Sequence, residues 1–213
     1  GIVYMSISDD FATGTLGDQW TVAGPGGTSA GLGASATDGY LELVTPDGDH
    51  NVWGGANNGV RAMQATADTD FTLEAGFLTT PTERYQMHGF LVEQDAANWL
   101  RFDIHSDGSQ LYAFAAVIEN DTGAGQFAVA IPDATAYLRV VREGDLWTLQ
   151  HSADGAAWAT AGSFTHAMTA ASAGVFAGNV GDATGYTARV DYFEVGSDPI
   201  ADEDGGFTPP PMP

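Results

Sequence analysis

Residues 98–105 read Asn-Trp-Leu-Arg-Phe-Asp-Ile-His, and the strict alternation in this stretch decides the fold class. Successive side chains of a β-strand point to opposite faces of the sheet, so one set of alternate residues is buried together. We expect the apolar set, Leu100, Phe102 and Ile104, in the core. The other set is expected to lie on an exposed or concave surface and consists of Trp99, Arg101, Asp103 and His105.

Similar short segments continue on both sides of this strand, separated by clusters of Gly, Thr, Ser, Asp and Asn. Turn signals every ~8–12 residues, without sustained helical periodicity, are typical of a β-sandwich or barrel. We therefore predict an all-β, antiparallel protein in which residues 24–36 form a surface loop. The predicted strands are 40–45, 60–66, 70–79, 85–94, 98–105, 109–118, 126–131, 136–143, 145–152, 172–179 and 186–195.

Composition excludes several classes of function. The chain has 213 residues, no cysteine, and 28 acidic against 6 basic residues, which gives a net charge of −22. Without cysteine there is no disulfide, no thiolate nucleophile and no cysteine-based zinc site. Such an acidic surface repels phosphate backbones and anionic lipid, so we expect no nucleic-acid partner and no membrane insertion.

The C-terminal end differs in composition from the rest of the chain. Gly-Ser-Asp-Pro at 196–199 is followed by an acidic, Gly-rich run and then by Thr-Pro-Pro-Pro-Met-Pro at 208–213. Low hydrophobicity with a proline run is typical of an extended linker. We predict a folded module over 1–197 and a linker over 198–213, with further domains in the same polypeptide.

Several segments carry a family resemblance. They are Ala67–Phe77, Gln86–Asp95, Asn98–Asp103, Tyr137–Arg142, Leu146–Trp158 and Arg189–Val195. Together they resemble concanavalin A-like β-sandwich domains, and more narrowly the laminin G-like modules of secreted multidomain bacterial proteins. They are also similar to the C-terminal β-sandwich of glycoside hydrolase family 43 β-xylosidases. The resemblance implies a two-sheet antiparallel jelly roll that is secreted or displayed at the cell surface.

A glycan-binding face is the first candidate site. Aromatic rings stack on the apolar face of a sugar, and charged groups bind its hydroxyls. Neighbouring strands and the loop 47–59 supply both kinds of group, so we predict a carbohydrate ligand at Trp53, Tyr85, Met87, Glu93, Trp99, Arg101, Asp103 and His105. Alternatively, this is a solvated sheet face with one Arg–Asp pair, and Trp53 closes the core.

Two other functions remain open. Glu93 and Asp103 could form the carboxyl pair of a glycoside hydrolase or lyase, although we favour a non-catalytic module and assign no catalytic residue. The chain could also be a Ca²⁺-stabilised structural or adhesive spacer. Most aspartates fall in turns and loops, and the acidity of the chain argues against anionic glycans as direct ligands unless Ca²⁺ bridges them.

Calcium is the one cofactor that we predict. In related sandwiches a structural Ca²⁺ joins the first and last strands, and the resemblance carries this role to Asp9, or its neighbour Asp10, and to Asp191. Asp38, before the first predicted strand, is a third candidate ligand. Ca²⁺ takes six to eight oxygen ligands, including carboxylates. The alternative is that these aspartates only shape turns.

Overall fold

The computed structural model describes residues 5–182 and 184–205, and within them it contains strands and no helix. In particular, the described residues include no helix long and apolar enough to cross a membrane. The strands are β1 (Thr21–Ala23), β2 (Ser29–Ala34), β3 (Gly39–Thr45), β4 (Val52–Trp53), β5 (Ala56–Asn57), β6 (Val60–Ala65), β7 (Phe71–Phe77), β8 (Met87–Asp95), β9 (Asn98–Ser106), β10 (Leu111–Glu119), β11 (Thr122–Ile131), β12 (Tyr137–Glu143), β13 (Leu146–Ser152), β14 (Ala159–Thr165), β15 (Ser172–Gly178) and β16 (Tyr186–Val195).

Two seven-stranded antiparallel sheets face each other. We call them the front sheet, β1-β6-β15-β8-β9-β10-β11, and the back sheet, β14-β13-β12-β7-β16-β3-β2. The short hairpin β4-β5 stands apart from both sheets. This arrangement confirms the predicted all-β, two-sheet antiparallel sandwich.

The core lies between the sheets and follows the alternation in the sequence. Leu100, Phe102 and Ile104 are fully buried in it, as predicted from β9. From the back sheet, Trp147 is also fully buried, and its indole N–H donates to the carbonyl of His166 at 3.0 Å. Burying one such side chain contributes roughly 1.5–3 kcal/mol, so this interior accounts for the pairing of the sheets.

The surface loop predicted over residues 24–36 was partly wrong, because Ser29–Ala34 forms the edge strand β2. It pairs with β3 in antiparallel register, Leu32 opposite Leu41. A run of small residues has little preference for a strand, and here the hydrogen bonds to β3 hold Ser29–Ala34 in an extended conformation. Gly33 lies directly under the ring of Tyr40, where a Cβ atom would come within 2.3 Å of a ring carbon.

The C-terminal segment folds back on the sandwich before the described residues end. Asp198 forms an isolated bridge with Val195 and accepts a hydrogen bond from the Ser8 amide at 2.8 Å. Further on, the Asp204 amide donates to Asp10 Oδ2 at 3.0 Å. The part of the predicted linker at 198–205 thus contacts the first residues of the module, while 206–213 lie outside the described residues. The domain boundary at 197 stays a prediction.

Candidate functional site

The outer face of the front sheet carries the residues that alternation assigns to it. Across β8 and β9, Met87 lies opposite His105, Leu91 opposite Arg101 and Glu93 opposite Trp99. The prediction that this face is open was wrong at its centre. Three of its side chains are almost completely buried: Trp99 at 3%, Arg101 at 6% and Asp103 at 0% relative exposure.

The loop 47–59, with its hairpin β4-β5, covers this part of the sheet. The Val52 carbonyl accepts a hydrogen bond of 2.8 Å from Arg101 Nη1, which fastens the loop to β9. Below the loop lies a second hydrophobic cluster, separate from the core between the sheets. Its buried members are Val52, Met63, Met87, Leu91, Trp99, Ala116, Ile118 and Phe176.

Asp103 organises the polar part of the face. Its Oδ2 accepts from Arg101 Nε, and its Oδ1 accepts from His105 Nδ1 at 2.9 Å. Burial by itself would raise the pKa of Asp103, but the Arg101 charge and the bond from His105 outweigh it and lower the pKa. Because an ionised carboxylate only accepts, the His105 proton is on Nδ1 and Nε2 is left for another partner.

An open cleft of about 490 Å³ lies at the edge of the covering loop. Trp53 and Phe114 form part of its wall, with ring centroids 6.2 Å apart, and Arg101 lies over the Phe114 ring at 5.1 Å. Tyr85 meets the His105 ring edge-on at 5.9 Å. The cleft therefore combines aromatic surface with a guanidinium and an imidazole that are fixed by a buried carboxylate.

The structure brings together five of the eight predicted ligand residues. They line the cleft: Trp53, Tyr85, Met87, Arg101 and His105. Three others do not line it. Trp99 belongs to the covered cluster, Asp103 lies beneath Arg101 and His105, and Glu93 is in an ion pair with Arg61 at 3.0 Å.

Phe114 is a cleft residue that we did not predict from the sequence. The strand from 109 to 118 is apolar on both faces, which indicates cover on both sides. On the outer side of this strand, Ala116 and Ile118 are buried in the cluster under the covering loop, whereas Phe114 lines the cleft. Asn51, another lining residue, belongs to the loop 47–59, whose polar residues beside Trp53 were the available signal in the sequence.

Glu93 and Asp103 do not form a glycosidase pair. Glu93 is in register with Trp99, and Asp103 is four residues further along β9. At 3.3 Å per residue the backbone positions of the two residues are offset by roughly 13 Å along the sheet, and each carboxylate pairs with a different arginine. Retaining and inverting enzymes need about 5–5.5 Å or 6.5–9.5 Å, so this hypothesis lacks its geometry.

Two of the three predicted metal ligands meet in an acidic cluster that shares no residue with the cleft. Asp38 and Asp191 join Glu203 and Asp204, with one oxygen of each within 4.8 Å of the others. Asp9 does not belong to this group. Its carboxylate accepts hydrogen bonds from the Phe11 amide and the Trp20 indole, both at 2.8 Å, and so holds the first segment in place.

The acidic cluster fits a hard cation in its donor chemistry. Asp38 Oδ1 and Asp191 Oδ1 are buried and have no hydrogen-bond partner, which is costly for a carboxylate oxygen. Burial and the neighbouring carboxylates raise the pKa of Glu203 to about 9 and that of Asp204 to about 6. Four oxygens at this spacing match the carboxylate part of a Ca²⁺ shell, which needs six to eight oxygens in total.

Solved structures with this fold include carbohydrate-active proteins. A glycoside hydrolase family 43 protein, BlXynB from Bacillus licheniformis, superposes with a TM-score of 0.69 at 19% identity, over 88% of this chain and 38% of that one. A Bacteroides ovatus GH16 protein superposes with a TM-score of 0.60 at 11% identity, over 89% of this chain and 99% of that one. A functionally unknown protein from Saccharomyces cerevisiae superposes with a TM-score of 0.65 at 17% identity, over 86% of this chain and 98% of that one.

At these identities the likeness shows the fold alone, a concanavalin A-like jelly-roll sandwich as the sequence resemblance implied. The chain spans about two fifths of the length of the family 43 protein. No curated protein matches the sequence. A family described as a protein of unknown function, DUF1349, matches residues 45–197, which include the covering loop and all the strands around the cleft. The chain belongs to the DUF1349 family.

Proposed function

We propose that this chain is a non-catalytic carbohydrate-binding module of a secreted or cell-surface multidomain protein, and that glycan binds in the cleft beside the covering loop. The observation that carries the proposal is the wall of Trp53, Tyr85 and Phe114 next to Arg101 and His105. Aromatic faces bind the C–H face of a pyranose, and fixed polar groups bind its oxygen atoms.

Rigid placement of the polar groups supports this role. Arg101 is held by Asp103 and by the Val52 carbonyl, and His105 by Asp103, so little side-chain freedom is lost when a ligand binds. The carboxylates predicted for hydrolysis are engaged elsewhere: Asp103 in this network and Glu93 with Arg61. A sandwich of the same fold inside a longer family 43 chain supports a role as one domain among several.

Replacing Trp53 with alanine is expected to weaken glycan binding at least about tenfold, because the change removes one wall of the cleft. Calorimetry with neutral and acidic oligosaccharides measures this. Trp158→Ala is the matched control, since Trp158 is equally half-buried but stacks on Arg139, a residue of the back sheet, at 3.9 Å. The control should bind like the unmodified chain.

The same assay tests the alternative functions. Equal loss in both tryptophan variants would move the binding site away from the cleft. Release of reducing ends or of unsaturated sugars by the unmodified chain would show a hydrolase or lyase instead. Binding to no glycan, combined with a strong response to Ca²⁺, would favour the structural or adhesive spacer.

We also propose that Ca²⁺ binds the acidic cluster and joins the C-terminal segment to the sandwich. Asp38 and Asp191 belong to the folded sheet region, whereas Glu203 and Asp204 follow the last strand. A cation there would neutralise carboxylates that otherwise repel one another and would give Asp38 Oδ1 and Asp191 Oδ1 a partner. Water or carbonyl oxygens would complete its shell.

Adding Ca²⁺ at about 100 times its dissociation constant should stabilise the chain by about 2.7 kcal/mol, a rise in melting temperature of roughly 5–10 °C. Differential scanning calorimetry in EDTA and in Ca²⁺ measures the shift. Asp191→Asn should abolish the response, and Asp133→Asn, outside the cluster, should keep it. A melting temperature that is the same in EDTA and in Ca²⁺ would refute the site.

A further inference from the structure

The polar atoms that the cleft offers are mainly hydrogen-bond donors. From this we propose that the cleft binds an acidic glycan, recognising the carboxylate of a uronic acid. The inference rests on the proposed function and names the class of sugar that the same cleft takes.

Two lining residues each have a donor group that makes no hydrogen bond within the described residues. Arg101 uses Nε for Asp103 and Nη1 for the Val52 carbonyl, and within the described residues its Nη2 makes no hydrogen bond. Asn51 accepts the Val52 amide on Oδ1 at 2.8 Å, so its NH₂ group is the part left for a ligand. Both residues line the cleft.

The carboxylate at this site, by contrast, has no oxygen left to accept a hydrogen bond from a ligand. Both oxygens of Asp103, which lies beneath the cleft, accept bonds from its neighbours, and none of the described residues that line the cleft is acidic. His105 Nε2 accepts only when the imidazole is neutral. A neutral sugar presents hydroxyl groups that donate as well as accept and so needs acceptors in the protein. A carboxylate only accepts, and it matches a donor-rich wall.

Arg84, beside the cleft, is the second reason. The structure describes all six arginines, and Arg84 alone has no carboxylate within ion-pair distance. Arg84 is exposed, donates to the Tyr85 hydroxyl at 2.9 Å and lies over the Tyr85 ring at 4.6 Å. In a chain with 28 acidic residues, a guanidinium free of acidic partners at the edge of this cleft suits a ligand that brings its own negative charge.

The net charge of −22 does not oppose this inference at short range. At an ionic strength of 0.15 M exposed charges are screened beyond about 8 Å. At this site Arg84 has no acidic partner among the described residues within ion-pair distance, whereas Asp103 balances the charge of Arg101. The expectation that the acidity disfavours directly bound anionic glycans concerns the charge of the whole surface, whereas Arg84 places an unpaired positive charge beside the cleft.

Matched pairs of oligosaccharides test the inference. Each pair holds an oligo-uronate of gluco, galacto or manno configuration and the same oligomer with its carboxylates reduced to CH₂OH. We expect an acidic member to bind roughly ten times more tightly than its reduced partner. Arg84→Gln should remove most of that difference. Arg189→Gln is the control, since it also removes one positive charge, from an exposed residue paired with Glu42 on the back sheet.

Each outcome decides the matter. Preference for acidic members that Arg84→Gln removes and Arg189→Gln keeps would support the inference. Reduced members that bind as tightly as, or more tightly than, their acidic partners would overturn it and leave the proposed function standing. A preference unchanged in Arg84→Gln, or an equal response to sulfated neutral oligomers, would also overturn it. Binding of no member of any pair would overturn both proposals together.

Discussion

Replacing Asp103 with alanine is expected to lower the free energy of unfolding by about 3–5 kcal/mol, as is typical when one partner of a buried ion pair is removed. Asp103 is completely buried, and Arg101, at 6% exposure, would keep its charge without a carboxylate. His105 would lose the acceptor of its Nδ1 proton as well. Urea unfolding followed by tryptophan fluorescence measures the change.

A double variant separates the lost pair from the uncompensated charge. Arg101→Met with Asp103→Val removes both charges and leaves both positions filled by apolar side chains, so it should recover most of the stability that Asp103→Ala loses. Recovery will be incomplete because the Val52 carbonyl loses its donor. If the double variant is as unstable as Asp103→Ala, the charge of Arg101 is not the cause, and the explanation from an unpaired buried ion is wrong.

Alternation along β9 was sufficient to predict the sandwich and the side of the sheet on which each residue lies. It could not predict which part of the outer face is accessible, because residues 47–59 decide that from far along the chain. A strand sequence reports the direction of its side chains and carries no information about a loop that lies over them. Tyr85 and His105, near the edge of the loop, therefore line a cleft, while Trp99 under it is buried.

The acidic cluster shows a second limit of the sequence. Asp191 was a candidate because of the family resemblance and Asp38 because of its place before a predicted strand, and the structure brings them together. Glu203 and Asp204 were missed because a Gly-rich, acidic segment before a proline run has the composition of a linker. Only the fold places that segment beside the opening residues, through contacts such as that of Asp204 with Asp10.

Replacing Trp99 with alanine should also lower the free energy of unfolding by about 3–5 kcal/mol, the usual cost of deleting a buried aromatic side chain. Trp99 is 3% exposed and belongs to the cluster of Val52, Leu91 and Ile118, so its loss leaves a cavity under the covering loop. Trp53, half-exposed at the cleft, provides the comparison. Urea unfolding and calorimetric binding are measured on both variants.

The two tryptophans should give opposite patterns. Trp53→Ala is expected to lose binding with a stability change of about 1 kcal/mol or less, since its side chain is only partly removed from water. Trp99→Ala is expected to lower the stability of the fold more than it weakens glycan binding. Trp99→Phe should lose much less stability, because the ring fills most of the cavity. A stable Trp99→Ala variant that binds no glycan would instead mean that the loop opens and exposes Trp99 to the ligand. The original prediction of Trp99 as a stacking residue would then be correct, and the cleft would extend beneath the loop along β9.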